Sequence, residues 1–108
     1  MFNVILHEDV PAEIACLSPV IRAKLIRLID KLQANATTLR EPDSRHLCNG
    51  LFEIRTMGID IARGLYAYQK GKRIYLLRVF IKKTQKTPSG EIALAFARLE
   101  EMLACEKI

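Results

Sequence analysis

A chain of 108 residues forms one domain, too short for two independent cores. Half of it is hydrophobic, enough for a modest core and against global disorder, and no apolar run approaches the roughly 20 residues of a membrane-crossing helix. The net charge of +5 is uneven: between Asp60 and Glu91 there are eight basic residues and no acidic one, while the rest of the chain is net negative. Such asymmetry points to a polyanionic partner, because neutralising phosphates releases counterions, with a merely solvated charged face as the alternative.

The chain begins with a short apolar run, Phe2 to Leu6, followed at once by His7-Glu8-Asp9. With no basic start and no small-residue cleavage site it does not read as a secretory leader, so a cytoplasmic protein is expected. Cys16, Cys48 and Cys105 form no C-x-x-C pair and have no zinc spacing, so they read as ordinary reduced thiols.

Pro11 closes the first apolar run, which predicts a strand over about 2–7 and a short helix from Pro11 to Leu17. Ser18-Pro19 then starts a second helix, with Ser as N-cap and Pro at the first helical position. Ile21, Leu25, Leu28, Ile29 and Leu32 follow with a 3.6-residue period, while Lys24, Arg27 and Lys31 line another face. The two helices make a hairpin. Residues 35–50 carry Asn35, Pro42, Asp43, Ser44, Asn49 and Gly50 and read as a loop. Leu51–Arg55, Ile59–Tyr68 and Arg73–Ile81 read as strands, with turns at Met57-Gly58 and Gln69-Lys70-Gly71-Lys72. They predict a three-strand antiparallel meander with helices covering one face. From Ser89, a candidate N-cap, Ile92, Ala95, Phe96, Leu99, Met102 and Leu103 form a last helical stripe. The fold class is therefore α+β, in a single domain over 1–108.

Two stretches carry a resemblance. Leu47-Cys48-Asn49-Gly50-Leu51-Phe52-Glu53-Ile54-Arg55 is similar to an L-x-x-G-L-aromatic-E-aliphatic-R signature. Phe80-Ile81-Lys82-Lys83-Thr84-Gln85-Lys86-Thr87-Pro88 is similar to F-x-K-K-T-x-K-T-P, followed by Glu91 and an Ala-rich helix. Between them Arg63 and Tyr66 resemble the R-x-x-Y of a middle strand. The order and spacing resemble the HigB-like, phage-derived branch of the RelE/ParE toxin superfamily over nearly the whole chain. Ala62, where relatives often have an aromatic residue, Val79, where a small one is typical, and Arg45, where relatives often have Lys, depart from the pattern.

The resemblance implies a compact RelE-like domain, a twisted antiparallel sheet with an N-terminal helical hairpin and a C-terminal helix. It implies the toxin of a type II toxin–antitoxin system, a ribosome-dependent endoribonuclease that cleaves mRNA and inhibits translation. The implied partners are a helix-turn-helix antitoxin, the ribosome and its mRNA, with operator DNA reached only through the antitoxin complex and no membrane. A gyrase poison of the ParE type and an inactive nucleic-acid-binding relative are the alternatives; the K-K-T-x-K-T-P stretch argues against the former.

Metal-free RNA cleavage by the 2′-hydroxyl needs a base, cations for the crowded phosphate and an acid for the leaving oxygen. Residues 61–90 hold no carboxylate to bind a metal and no histidine, so no cofactor or metal is expected and Lys and Arg carry the work. Clustering lowers a lysine's pKa, so of Lys82 and Lys83 one could be acid or base while the other holds phosphate. Arg63, with Arg55 beside it, is a candidate phosphate clamp; a salt bridge from Arg63 to Glu53 on the adjacent strand is the alternative. Strict alternation places Arg78 with Ile74, Leu76 and Phe80. Arg78, Lys86, His46, Lys72, Arg73 and Tyr66 are the further candidate RNA contacts, Tyr66 by stacking on a base.

Overall fold

The computed structural model describes residues 2–35, 44–58, 60–82 and 86–106. The expected elements from the N-terminus are present: β1 (Asn3–Leu6), α1 (Val10–Ala15) and α2 (Pro19–Asn35). Ser18 caps α2 as its position before Pro19 requires, its hydroxyl accepting from the Ile21 N–H at 3.5 Å. Arg22 donates to the Ala15 and Leu17 carbonyls at 3.1 and 2.9 Å, which closes the C-terminal end of α1.

The stretch read as a loop over 35–50 instead contains a strand, β2 (Ser44–Cys48), paired antiparallel with β3 (Leu51–Arg55). Asn49 and Gly50 join them with φ of +45° and +80°, a two-residue hairpin turn whose twist suits the flanking strands. β4 (Ile61–Gln69), β5 (Arg73–Lys82) and α3 (Ser89–Glu106) follow. Ile59, where the β4 strand was expected to begin, lies outside the described residues. Ser89 stands inside α3 rather than before it: the Glu91 and Ile92 N–H groups reach the Pro88 carbonyl.

The meander is therefore the centre of a five-stranded sheet in the order β1-β5-β4-β3-β2, with β1 parallel to β5 and every other pair antiparallel. Helices cover both faces, not one. On the α1–α2 side Leu25, Leu28 and Leu32 pack on Ile54, Ala62, Tyr66, Ile74 and Leu76. On the other side the whole α3 stripe packs on Leu51, Leu65, Ala67, Tyr75, Leu77 and Phe80. Leu65 to Ala67 and Ile74 to Leu77 are continuous buried runs, and such runs need apolar cover on both faces. Each fully buried Leu among them contributes about 1.5–3 kcal/mol.

One irregularity decides which residues share a face. Leu65 pairs with Arg78 and Tyr66 with Leu76, so Leu77 is an extra residue in β5 and forms a bulge. Strict alternation, which groups Arg78 with Ile74, Leu76 and Phe80, fails here. Ile74, Leu76 and Val79 face the helical hairpin, whereas Leu77 and Phe80 face α3.

Charged side chains complete the β5 backbone at this point, beyond the last residue of β1. The Val79 N–H donates to Glu13 Oε1 at 3.0 Å, and the Leu77 carbonyl accepts from Arg98 Nη1 at 3.0 Å. Arg78 donates to Glu13 at 2.6 Å and to Glu91 at 2.8 Å, and Arg98 pairs with Glu13 at 2.8 Å. Burial pushes the Glu13 carboxyl up, but the Val79 N–H, Arg98 and Arg78 outweigh it and hold the group below the usual range. Glu91, opposed by burial and helped by Glu13, raises the Arg78 pKa.

Candidate nucleic-acid interface

At the end of the sheet where β3 finishes and β4 begins, Arg55 stands opposite Arg63, Arg63 opposite Phe80, and Ile61 opposite Lys82. The two signature stretches therefore converge on one end of the sheet, although they are separated by 24 residues or more in the chain. Lys83 and the side chain of Lys82 lie outside the described residues.

Their meeting point is a buried charge cluster on the α3 side. Glu53 is fully buried and receives Arg63 Nη1 at 2.5 Å and the Thr87 hydroxyl at 2.5 Å. Arg63 Nη1 also donates to Thr87 Oγ1 at 3.1 Å, and Arg45 approaches Glu53 Oε1 at 3.5 Å from β2. A carboxylate without solvent needs compensation: the Arg63 guanidinium and the Thr87 hydroxyl donate to it, and Arg45 adds a second positive charge at 3.5 Å. Of the two roles open to Arg63 in the sequence, the structure has the second: its guanidinium, 3% exposed, holds Glu53. Sequence reasoning named the Glu53 partner but passed over Thr87, although Thr87 lies inside the second signature.

The cluster has chemical consequences. Arg45 and Arg63 outnumber Glu53, so the cluster keeps a net positive charge, and the exposed Lys86 is the chain neighbour of its Thr87. The arrangement ties the 86–88 segment to the sheet through Thr87, with Lys86 exposed beside it.

The remaining candidates fall elsewhere. Tyr66 is 1% exposed, donates or accepts at 2.7 Å with the Ser44 hydroxyl, and stacks on Phe52 at 5.6 Å. It is a core residue, not a base-stacking one, and burial raises the pKa of its phenol. His46 is exposed on the opposite face of β2 from Arg45, edge-on to Phe52 at 5.0 Å. Arg78 is taken into the Glu13–Glu91 network. Lys72 and Arg73 sit in the β4–β5 turn, where Gln69 pairs with Arg73. Eight strand steps at about 3.3 Å put that turn roughly 26 Å from the Lys82 end, too far to serve the same phosphate.

Among the described residues, one group gathers metal-ligating side chains: His7, Glu8 and Glu101. His7 Nδ1 accepts from the Asp9 N–H at 3.1 Å, which leaves the proton on Nε2, 3.2 Å from Glu101. With both ring nitrogens engaged, the imidazole has no lone pair for a cation. It ties β1 to α3. No described helix is long and apolar enough to cross a membrane.

The fold is shared with a chain from the crystal structure of the toxin-antitoxin complex RelBE2 of Mycobacterium tuberculosis. The TM-score is 0.59 at 19% identity, over 75% of this chain and 98% of that one. No curated protein matches the sequence. Residues 12–100 match the family described as phage derived protein Gp49-like (DUF891), a span that includes both signature stretches, the Glu53–Arg63–Thr87 cluster and most of α3. The chain belongs to this Gp49-like, phage-derived family.

Proposed function

We propose that the protein is the toxin of a type II toxin–antitoxin system, a metal-free endoribonuclease that cuts mRNA on the ribosome. The observation that carries this reading is the convergence of the two signature stretches on one cationic end of the sheet through Glu53, Arg63 and Thr87. Membership of the Gp49-like family and the fold shared with a chain of a toxin–antitoxin complex support it. In the reaction the 2′-hydroxyl of RNA attacks the adjacent phosphate and the 5′-oxygen leaves with a proton. Lys82, Lys83, Lys86 and Arg55 supply the cations and the proton transfer, since stabilising the crowded phosphate is the largest demand. Arg63 is assigned as a positioning residue, which holds the 86–88 segment through Glu53 and Thr87. The ribosome supplies the mRNA, and a helix-turn-helix antitoxin restrains the free protein in the cytoplasm.

The test is induction in cells without antitoxin, with mRNA 5′ ends mapped for the wild type and for Lys82→Ala/Lys83→Ala. Growth arrest with new ends inside translated codons, lost in the variant, is the expected result. Growth arrest with intact mRNA and damaged DNA would replace this reading with gyrase poisoning. No growth defect from a folded protein would indicate an inactive relative.

A further inference from the structure

Between β1 and α3 lies a hollow of about 350 Å³, within the roughly 300–1,000 Å³ of ligand pockets, with Ile5, Tyr75 and Met102 in its walls. Leu6, 37% exposed, lines it as well. Among the described residues no lysine or arginine lines it, although the chain carries a net charge of +5. Its charged members are Glu8 and Glu101, both exposed. A carboxylate oxygen of each and His7 Nε2 lie within 4.8 Å of one another. The single proton on Nε2 serves Glu101, and Glu8 has no partner among the described residues. Two carboxylates this close repel, and one imidazole N–H offsets one of them. An ammonium or guanidinium between them donates to both and, unlike a metal ion, asks for no lone pair from His7.

The backbone beside the hollow adds a third feature. β1 is the last strand of the sheet on this side. Asn3 and His7 give their N–H groups to the Lys72 and Leu76 carbonyls, so strand alternation turns the Leu6 N–H and C=O away from β5. An extended chain lying along β1 meets a backbone donor and acceptor at Leu6. Its alternate side chains, which point the same way, reach the apolar hollow and the carboxylate pair.

We propose that this edge docks an extended segment of a partner polypeptide. The segment seats a large apolar side chain in the hollow and a lysine or arginine between Glu8 and Glu101. A small amphiphilic amine is the less suitable occupant, because it would use the hollow and the carboxylates but not the strand edge. Leu6 pairs with Leu76, and six strand steps at about 3.3 Å put Leu76 roughly 20 Å from Lys82. The docked segment therefore leaves the cationic end of the sheet open. The inference does not rest on the nuclease reading.

The experiment follows amide NMR shifts of the full chain as a short capped glycine–serine peptide is added, carrying one leucine and, two positions on, one lysine. Saturable shifts at Leu6, Glu8 and Met102 are expected. Serine in place of the peptide's leucine should weaken binding at least about tenfold. Glutamate in place of its lysine should weaken binding about fivefold, and so should Glu8→Gln/Glu101→Gln in the protein. Both positions are exposed, and the glutamine carbonyl still accepts from His7, so the variant folds. No saturable shift at Leu6, or equal affinity for the lysine and glutamate peptides, would overturn the proposal. So would octylammonium binding as tightly as the peptide, which would assign the hollow to a small amphiphile. The expected pattern in a protein that cuts no mRNA would instead sink the nuclease reading and leave the docking edge standing.

Discussion

Thr87 donates its hydroxyl hydrogen bond to the buried Glu53 carboxylate, 34 positions earlier in the chain. One short contact therefore fastens the segment after the lysine pair to the strand that carries the first signature. Neither residue needs to touch RNA for the pair to matter, since Thr87 anchors the chain beside the exposed Lys86.

The Glu53–Arg63 pair responds asymmetrically to mutation. Glu53→Ala leaves a buried guanidinium without its carboxylate and is expected to cost about 3–5 kcal/mol in denaturant unfolding. Glu53→Met/Arg63→Met removes both charges together and should recover most of that loss. If the double variant is no more stable than the single one, Arg63 is not satisfied chiefly by Glu53.

Thr87→Val keeps the shape and removes the hydroxyl that bridges Arg63 and Glu53. A loss of about 1–3 kcal/mol is expected. Cleavage should fall further than stability explains, read as kcat at a temperature where both proteins are fully folded. A Thr87→Ser protein restores the hydroxyl and should restore both.

Glu13 sets an acid limit. Its pKa in the folded protein lies below the ordinary value, so its contribution is present above the unfolded-state pKa and is lost as pH falls through the folded one. Unfolding free energy should therefore drop as pH falls from about 4.5. Glu13→Gln should be less stable at neutral pH and show a shallower acid limb. An unchanged slope in the variant would count against the Val79, Arg78 and Arg98 contacts.

Tyr66→Phe separates core from contact. Removing the hydroxyl bonded to Ser44 should cost about 1 kcal/mol in stability. RNA affinity should be unchanged, because the ring lies within the core. A large loss of affinity at unaltered stability would restore the stacking role.

Much of this fold is legible in the sequence. The α2 and α3 stripes are long, regular and match the buried residues, because a helix that packs on one side must repeat at 3.6. β2 is not visible by periodicity, since Ser44-Arg45-His46 is polar and edge strands need little apolar content. Its one clear signal is Asn49-Gly50, the hairpin pair that both positive φ values require. The candidate site is legible in part. Charge places cations on 82–86, and the salt bridge from Arg63 to Glu53 follows from their neighbouring strands. Thr87 does not, because its partner is set by how the chain returns from β5 to α3, a non-local event that no local pattern encodes. The bulge at Leu77 is equally silent, since an extra apolar residue in an apolar run leaves no mark.

That extra residue acts as a phase shift in the read-out of β5. Past it the sides are exchanged: Val79 and Ile81 meet the hairpin, and Phe80 meets α3. A chain lacking Leu77 would lose one leucine and keep its charge and both signatures, yet turn Phe80 toward the hairpin and Ile81 toward α3. Counting residues between the strand start and Phe80, rather than their chemistry, is then what fixes which face each later position of β5 takes.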